Sequence, residues 1–360
     1  MPPHFPARFL ADRAAIWRTT QTLAIAAAGG ILLNWLDFPA GLVTGSLLGV
    51  AAAALCGRPT AVSTPVSRVI SVLVGISLGA VVTPETLKGF AAFPLSIAVL
   101  AVSSVAMIAA TSAYLRHVHG WDRLSALFGA SPGALAQVMV LSAEYKADMR
   151  AIAIVQTLRV VALTVGIPSG LSLFGLTAEG GIMARLGGSH PESAAELAIL
   201  VAVSTVSALV VWRLRLPGGL MFGAMLASAI LHGAGYLSAA LPWWVAMAAV
   251  IGIGAVTGSR FANTSPLTLL RFMAAAVGSF TVSMTVATLS VLALTMLLSV
   301  PIADAVVAFA PGAQDTMMVL ALALHLDPVF VGALHLSRFV LVSLLVPILA
   351  QRIRRLPRDS

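Results

Sequence analysis

Ser131-Pro132-Gly133-Ala134-Leu135-Ala136-Gln137 returns 179 residues later as Ala310-Pro311-Gly312-Ala313-Gln314-Asp315-Thr316. The same offset of 179 carries Gly75 and Gly79 onto Gly254 and Gly258, Asp148 onto Asp327, Arg159 onto Arg338 and Pro168 onto Pro347. An offset of 178 carries Phe38-Pro39-Ala40-Gly41-Leu42 onto Leu216-Pro217-Gly218-Gly219-Leu220. Glycine and proline matches arise easily by chance; a fixed offset that also joins an aspartate and an arginine does not. The chain reads as a duplication, with a first repeat over 1–175, a linker over 176–193, a second repeat over 194–351 and a basic tail over 352–360.

What is duplicated is a membrane unit. The hydrophobic fraction is 59%, the charged fraction 9% and the mean hydropathy +1.00, far from the balance of a water-soluble domain. In lipid every backbone polar group must be satisfied within its own segment, so these apolar runs predict helices. They cover about 17–36, 39–56, 66–83, 90–115, 125–143 and 150–174, then 194–212, 217–237, 243–259, 272–300, 304–325 and 328–349. Arg8, Arg13 and Arg18 before an apolar stretch resemble the start of a signal peptide. The run continues to Leu36, however, and the segment at 194–212 is its counterpart, so the first helix is expected to be retained.

The fifth segment of each repeat decides the topology, because Pro-Gly interrupts it. If it crosses fully, each repeat has six crossings, the repeats are parallel and the positive charge is only weakly biased. If it enters and returns, each repeat has five crossings and the second is inverted. Lys88 and Arg185 then lie outside, Arg159 and Arg338 lie within spans, and the other seventeen of the 21 Lys and Arg lie inside. The positive-inside rule favours the second arrangement. The expected fold is therefore an all-α polytopic membrane protein of two inverted repeats, each with about five spanning helices and one Pro-Gly-broken re-entrant segment. Both termini would be cytoplasmic, in a bacterial inner membrane. The net charge of +8 reads as orientation rather than as a nucleic-acid surface, since the basic residues are scattered through loops and a short C-terminal run.

Candidate functional residues cluster at the breaks. Pro132 and Pro311 stand where a helix would start, so each break would present a half-helix N-terminus, with free N–H groups suited to an anion, at a depth where irregular backbone must line a cavity or be buried in protein. A simple proline kink in a packed helix is the structural alternative. Arg159 and Arg338 fall about ten residues into their spans, where a guanidinium needs partners. They would contact an anionic substrate directly or bond carbonyls freed at the break. Gln156 and His335 sit three residues earlier on the same faces. Pro132, Gly133, Ala134, Gln137, Gln156, Arg159, Pro311, Gly312, Ala313, Gln314, Asp315, His335 and Arg338 make up the candidate binding set. Asp148 and Asp327 open the last helices, where a carboxylate caps free amides, with a role in coupling as the other reading. Asp315 stands where the first repeat has Ala136, which makes it the best candidate for a titrating or cation-binding group.

Other features read as structure. Gly75/Gly79 and Gly254/Gly258 have the spacing that lets helices approach closely, Trp243-Trp244 suits a membrane interface, and Cys56, the single cysteine, reads as a small buried hydrophobe. His117 and His119 are spaced wrongly for two metal ligands on one helical face. No phosphate-binding loop, nucleophile elbow, zinc-protease or dinucleotide motif occurs. No cofactor, metal or catalytic residue is expected, and transport would be secondary or depend on partners.

Taken together, Pro39-Ala40-Gly41 with Pro217-Gly218-Gly219, the two Pro-Gly-Ala segments, and Arg159 with Arg338 resemble the bacterial AbrB-type membrane duplication family over nearly the whole chain. The resemblance implies one of three conflicting roles, since members carry labels of transporter, ammonia monooxygenase and regulator of gene expression. An oxygenase needs clustered ligands, whereas the seven His are dispersed and only His325 and His335 could approach one another. A DNA-binding regulator needs a soluble domain or a basic helix free to enter a groove. The leading expectation is a secondary transporter or exporter of a small anionic or amphipathic solute. The runner-up is a membrane sensor that affects expression indirectly. The expected partners are the lipid bilayer and the solute, without nucleic acid and with homo-oligomerisation left open.

Overall fold

Each repeat supplies seven helices among the described residues. The computed structural model describes residues 5–82, 93–132, 135–176, 194–214, 219–262 and 264–355, with side chains described except at 5–14, 135–137 and 140. The first repeat contains α1 (Phe5–Trp35), α2 (Gly41–Leu55), α3 (Thr64–Gly79), α4 (Phe93–His119), α5 (Arg123–Ala130), α6 (Leu135–Glu144) and α7 (Met149–Leu173). The second contains α8 (Ala194–Arg213), α9 (Gly219–Gly233), α10 (Trp243–Gly258), α11 (Pro266–Leu297), α12 (Ile302–Phe309), α13 (Gln314–Ala323) and α14 (Pro328–Arg355). No strand occurs among the described residues. Six helices, α4, α7, α8, α10, α11 and α14, are long and apolar enough to cross a membrane, α10 being counted through Phe261. α2, α3 and α9 are shorter apolar helices. The chain is an all-α polytopic membrane protein.

Helix ends follow local chemistry. Asp122 opens α5 by accepting from the amides of Leu124 and Ser125, and Pro266 and Pro328 occupy first helical positions, where a missing N–H is harmless. α14 runs on through Arg355, beyond the boundary that the hydropathy suggested for the span. Arg352, Arg354 and Arg355 lie in its last turn, where cations favour the negative end of the helix dipole. Pro168 and Pro347 lie inside α7 and α14 at matched positions.

The helices gather into two units, and each unit takes the same members from both repeats. One holds α1–α3 with α8–α10, plus the short stretch Leu322–His325. Within it α3 packs on α9, and α10 packs on α2. Glycine makes these crossings close: a Cβ at Gly75 would run into the Met221 carbonyl oxygen, and one at Gly254 into the Ser46 hydroxyl. The Ser228 hydroxyl donates to the Ile76 carbonyl at 2.9 Å across the first of them.

The other unit holds α4–α7 with α11–α14. Here α5 packs against α14, and α12 against α7, so the short helix of each repeat meets the last long helix of the other. One cluster joins Ile108, Phe128, Val138, Ile152, Val342 and Val346 across five helices. Against lipid such burial brings little hydrophobic gain, so close packing and polar contacts must hold the helices together.

Cys56 corrects the sequence reading. It is exposed rather than buried, because α2 ends at Leu55 and the cysteine, at the C-cap, has left the packed face.

Candidate functional site

α5 and α6 have 8 and 10 residues, so at about 1.5 Å per residue each covers roughly half of a 30 Å hydrocarbon core. Their direction can be read from hydrogen bonds to α7. The amide of Asp148, just before α7, donates to the Ser125 hydroxyl at 2.9 Å. Two turns further along, Gln156 Nε2 donates to the Phe128 carbonyl at 2.8 Å. At the end of α5, Arg159 donates to the carbonyls of Ala130 at 3.5 Å and Ser131 at 3.2 Å. α5 therefore climbs beside α7 from its start to its middle. The chain turns at Pro132, and α6 must bring it back to Asp148, level with where α5 began. The broken segment is a helical hairpin whose two ends lie level with the start of α7.

The second repeat reproduces each of these bonds at the same offset and adds one more from its arginine. The amide of Asp327 donates to Asp304 Oδ1 at 2.6 Å. His335 Nε2 pairs with the Val307 carbonyl at 3.1 Å. Arg338 donates to the carbonyls of Ala308 at 3.1 Å, Phe309 at 2.9 Å and, closer still, Ala310. α12 climbs beside α14, the chain turns at Pro311-Gly312, and α13 returns to Asp327. Even the backbone exits agree: Lys146 and His325, at matched positions, both adopt positive φ, 56° and 61°.

Each arginine thus closes the end of a short helix whose last carbonyls have no partner within the helix. Arg159 and Arg338 are buried, with 4% and 1% of their surface exposed. Their terminal nitrogens go to carbonyls, while the Nε of each is buried without a partner. Asp148 accepts from the amides of Arg150 and Ala151, and Asp327 from those of Val329 and Phe330, which makes both N-caps. Burial pushes the Asp327 carboxyl above the usual carboxylate range, and its two amide donors pull the other way.

The remaining candidates are distributed around the turns. Pro132, Pro311 and Gly312 are buried, Ala313 is half-buried, and the Met317 side chain leaves no room for a Cβ at Gly312. Gln314 is buried, with Nε2 3.8 Å from the Met318 sulfur. Asp315 lies half-buried in the first turn of α13. Gly133, Ala134 and the side chain of Gln137 lie outside the described residues. No group of three or more His, Cys, Asp or Glu suited to a metal occurs among the described residues, and His119 Nε2 pairs instead with the Tyr114 hydroxyl at 3.1 Å. Ser125 and Asp304, which tie each hairpin to the next helix, escape a reading by motif. Their one signal is that both are polar at the same offset.

Two short-helix hairpins, each latched by a buried arginine on the following helix, mark this all-α multi-pass membrane protein. Residues 42–354 match the family described as "Transition state regulatory protein AbrB", and the chain belongs to that family. It is 24% identical over 352 residues to "Uncharacterized protein YhjN" of Bacillus subtilis (strain 168), covering 90% of each chain. It is 27% identical over 228 residues to "Putative regulator AbrB" of Escherichia coli (strain K12), a match spanning 62% of this chain and 64% of that protein.

Proposed function

We propose that this chain is a secondary transporter of a small anionic or amphipathic solute, with its site where the two hairpin turns meet. The observation that carries the reading is the pair of latched hairpins: broken helices that end at mid-depth are the usual way of placing backbone donors and acceptors beside a solute inside a membrane. With α1–α4 and α7 counted as crossings, and α8–α11 and α14 likewise, each repeat crosses an odd number of times. The second is then inverted, and the distribution of Lys and Arg supports an orientation with both termini on the cytoplasmic side of a bacterial inner membrane. Two like halves of opposite orientation suit alternating access, and the role requires no catalytic step.

The test is flux of labelled small anions from proteoliposomes. Flux that exceeds empty liposomes and is lost in Arg338→Ala and Arg159→Ala fits the proposal. Full flux in both variants would remove the arginines from the site.

The names of the family and of the Escherichia coli relative favour a second reading, a membrane sensor that alters gene expression through a partner. Its signature would be solute binding without flux.

A further inference from the structure

We infer that the junction of the hairpins binds a small soluble dianion, such as a dicarboxylate or a divalent oxyanion, between Arg159 and Arg338. The inference rests on the reading of that junction as a binding site and narrows its solute by charge.

The first ground is the charge count. Both guanidiniums are permanently protonated, and both are buried. All the hydrogen bonds of their terminal nitrogens go to neutral backbone carbonyls of Ala130, Ser131, Ala308, Phe309 and Ala310. Carbonyls accept from the donors but contribute no formal negative charge to offset either guanidinium, a costly arrangement inside a bilayer. A monoanion would cancel half of that charge, whereas a dianion would cancel all of it.

The second ground is the hydrogen-bond count. Each arginine keeps one donor, its Nε–H, buried without an acceptor. Such orphans are rare and need an explanation, and charged donors form their strongest bonds with anionic oxygens. The third is topology. α5 packs against α14 and α12 against α7, so each latched turn is carried toward the other repeat's arginine-bearing helix, and both orphan donors belong to one unit.

The full-length protein in phosphatidylcholine nanodiscs would be melted in series of succinate, sulfate and acetate, with ionic strength fixed by potassium chloride. A ligand that binds the folded state raises Tm by mass action. The expected result is stabilisation by succinate or sulfate at concentrations at least about tenfold below those needed for acetate. Arg159→Gln and Arg338→Gln, where they fold, should each abolish the difference. Equal effects of succinate, sulfate and acetate, or no effect beyond chloride, would overturn the inference in the wild-type protein alone. Stabilisation by added phosphatidic acid but by neither soluble dianion would overturn it in favour of a lipid headgroup. Proteoliposome flux separates the two levels. Dianion binding without flux leaves this inference standing and removes transport, whereas flux of a neutral solute without dianion binding does the reverse.

Discussion

The two hairpins are built on one plan and fastened with different strength. In the first, Arg159 reaches two carbonyls, at 3.2 and 3.5 Å. In the second, Arg338 reaches three, the longest at 3.1 Å. Where the first uses Gln156, Ser125, Lys146 and Ala136, the second uses His335, Asp304, His325 and Asp315. Two of the backbone positions bonded by the arginine are shared, and Arg338 adds the Ala308 carbonyl, so the geometry of a latched half-helix has been kept while the side chains around it changed. The second copy is the more firmly anchored, and it carries carboxylates and imidazoles where the first carries neutral groups or an ammonium.

That comparison orders the effects of mutation. Arg338→Ala should be the most damaging, since three bonds from a charged donor are lost and buried carbonyls are left bare. A loss of about 3 kcal/mol or more is expected, seen as a lower Tm in detergent and the lowest yield of the series. Arg159→Ala should cost less, on the order of 2 kcal/mol, because its bonds are fewer and longer. Equal losses would break the claim that the second hairpin is the tighter one. Lysine should rescue neither, because a single ammonium cannot bridge the set of carbonyls that a planar fork holds.

Smaller changes sharpen the same comparison. His335→Leu should cost about 1–3 kcal/mol by stranding the Val307 carbonyl, whereas His335→Gln should cost under about 1 kcal/mol, since it installs the donor that Gln156 supplies to Phe128 in the first repeat. Thermal melts of the two variants side by side would check this. Asp148→Ala and Asp327→Ala each remove an N-cap and should cost roughly 1 kcal/mol apiece. A much larger loss in Asp327→Ala alone would point to a role for that carboxylate beyond capping.

Much of the fold was legible because hydropathy and repetition are local signals. The spans, the duplication and the break at each Pro-Gly-Ala follow from composition and a fixed offset, and the isolated arginines at mid-span announced that something polar must meet them. What they meet was not legible. Whether Arg159 faces a solute or the carbonyls of residues 130 and 131 depends on α5 lying beside α7, and nothing in the spacing of single residues fixes that register. The interleaving of the repeats was hidden for the same reason: the contacts of Gly75 with Met221 and of Gly254 with Ser46 join positions far apart in sequence. Ser125 and Asp304 were overlooked because a serine and an aspartate at matched positions look unlike until their shared role, accepting from the amide that starts the next helix, is seen. Cys56 was misplaced because an apolar flank says nothing about where a helix stops.

The central claim is that each broken segment returns to the side it entered, and that the two do so from opposite sides. Single cysteines at His117 and Ala143, flanking the first hairpin, and at Ser299 and Leu326, flanking the second, would test it. Each would be introduced in a Cys56→Ser background and labelled in intact cells with a membrane-impermeant thiol reagent. The account predicts that Ser299→Cys and Leu326→Cys are labelled from outside, while His117→Cys and Ala143→Cys react only once the cells are opened. Labelling of one flank but not the other of the same hairpin would mean that the segment crosses the membrane, and would contradict it.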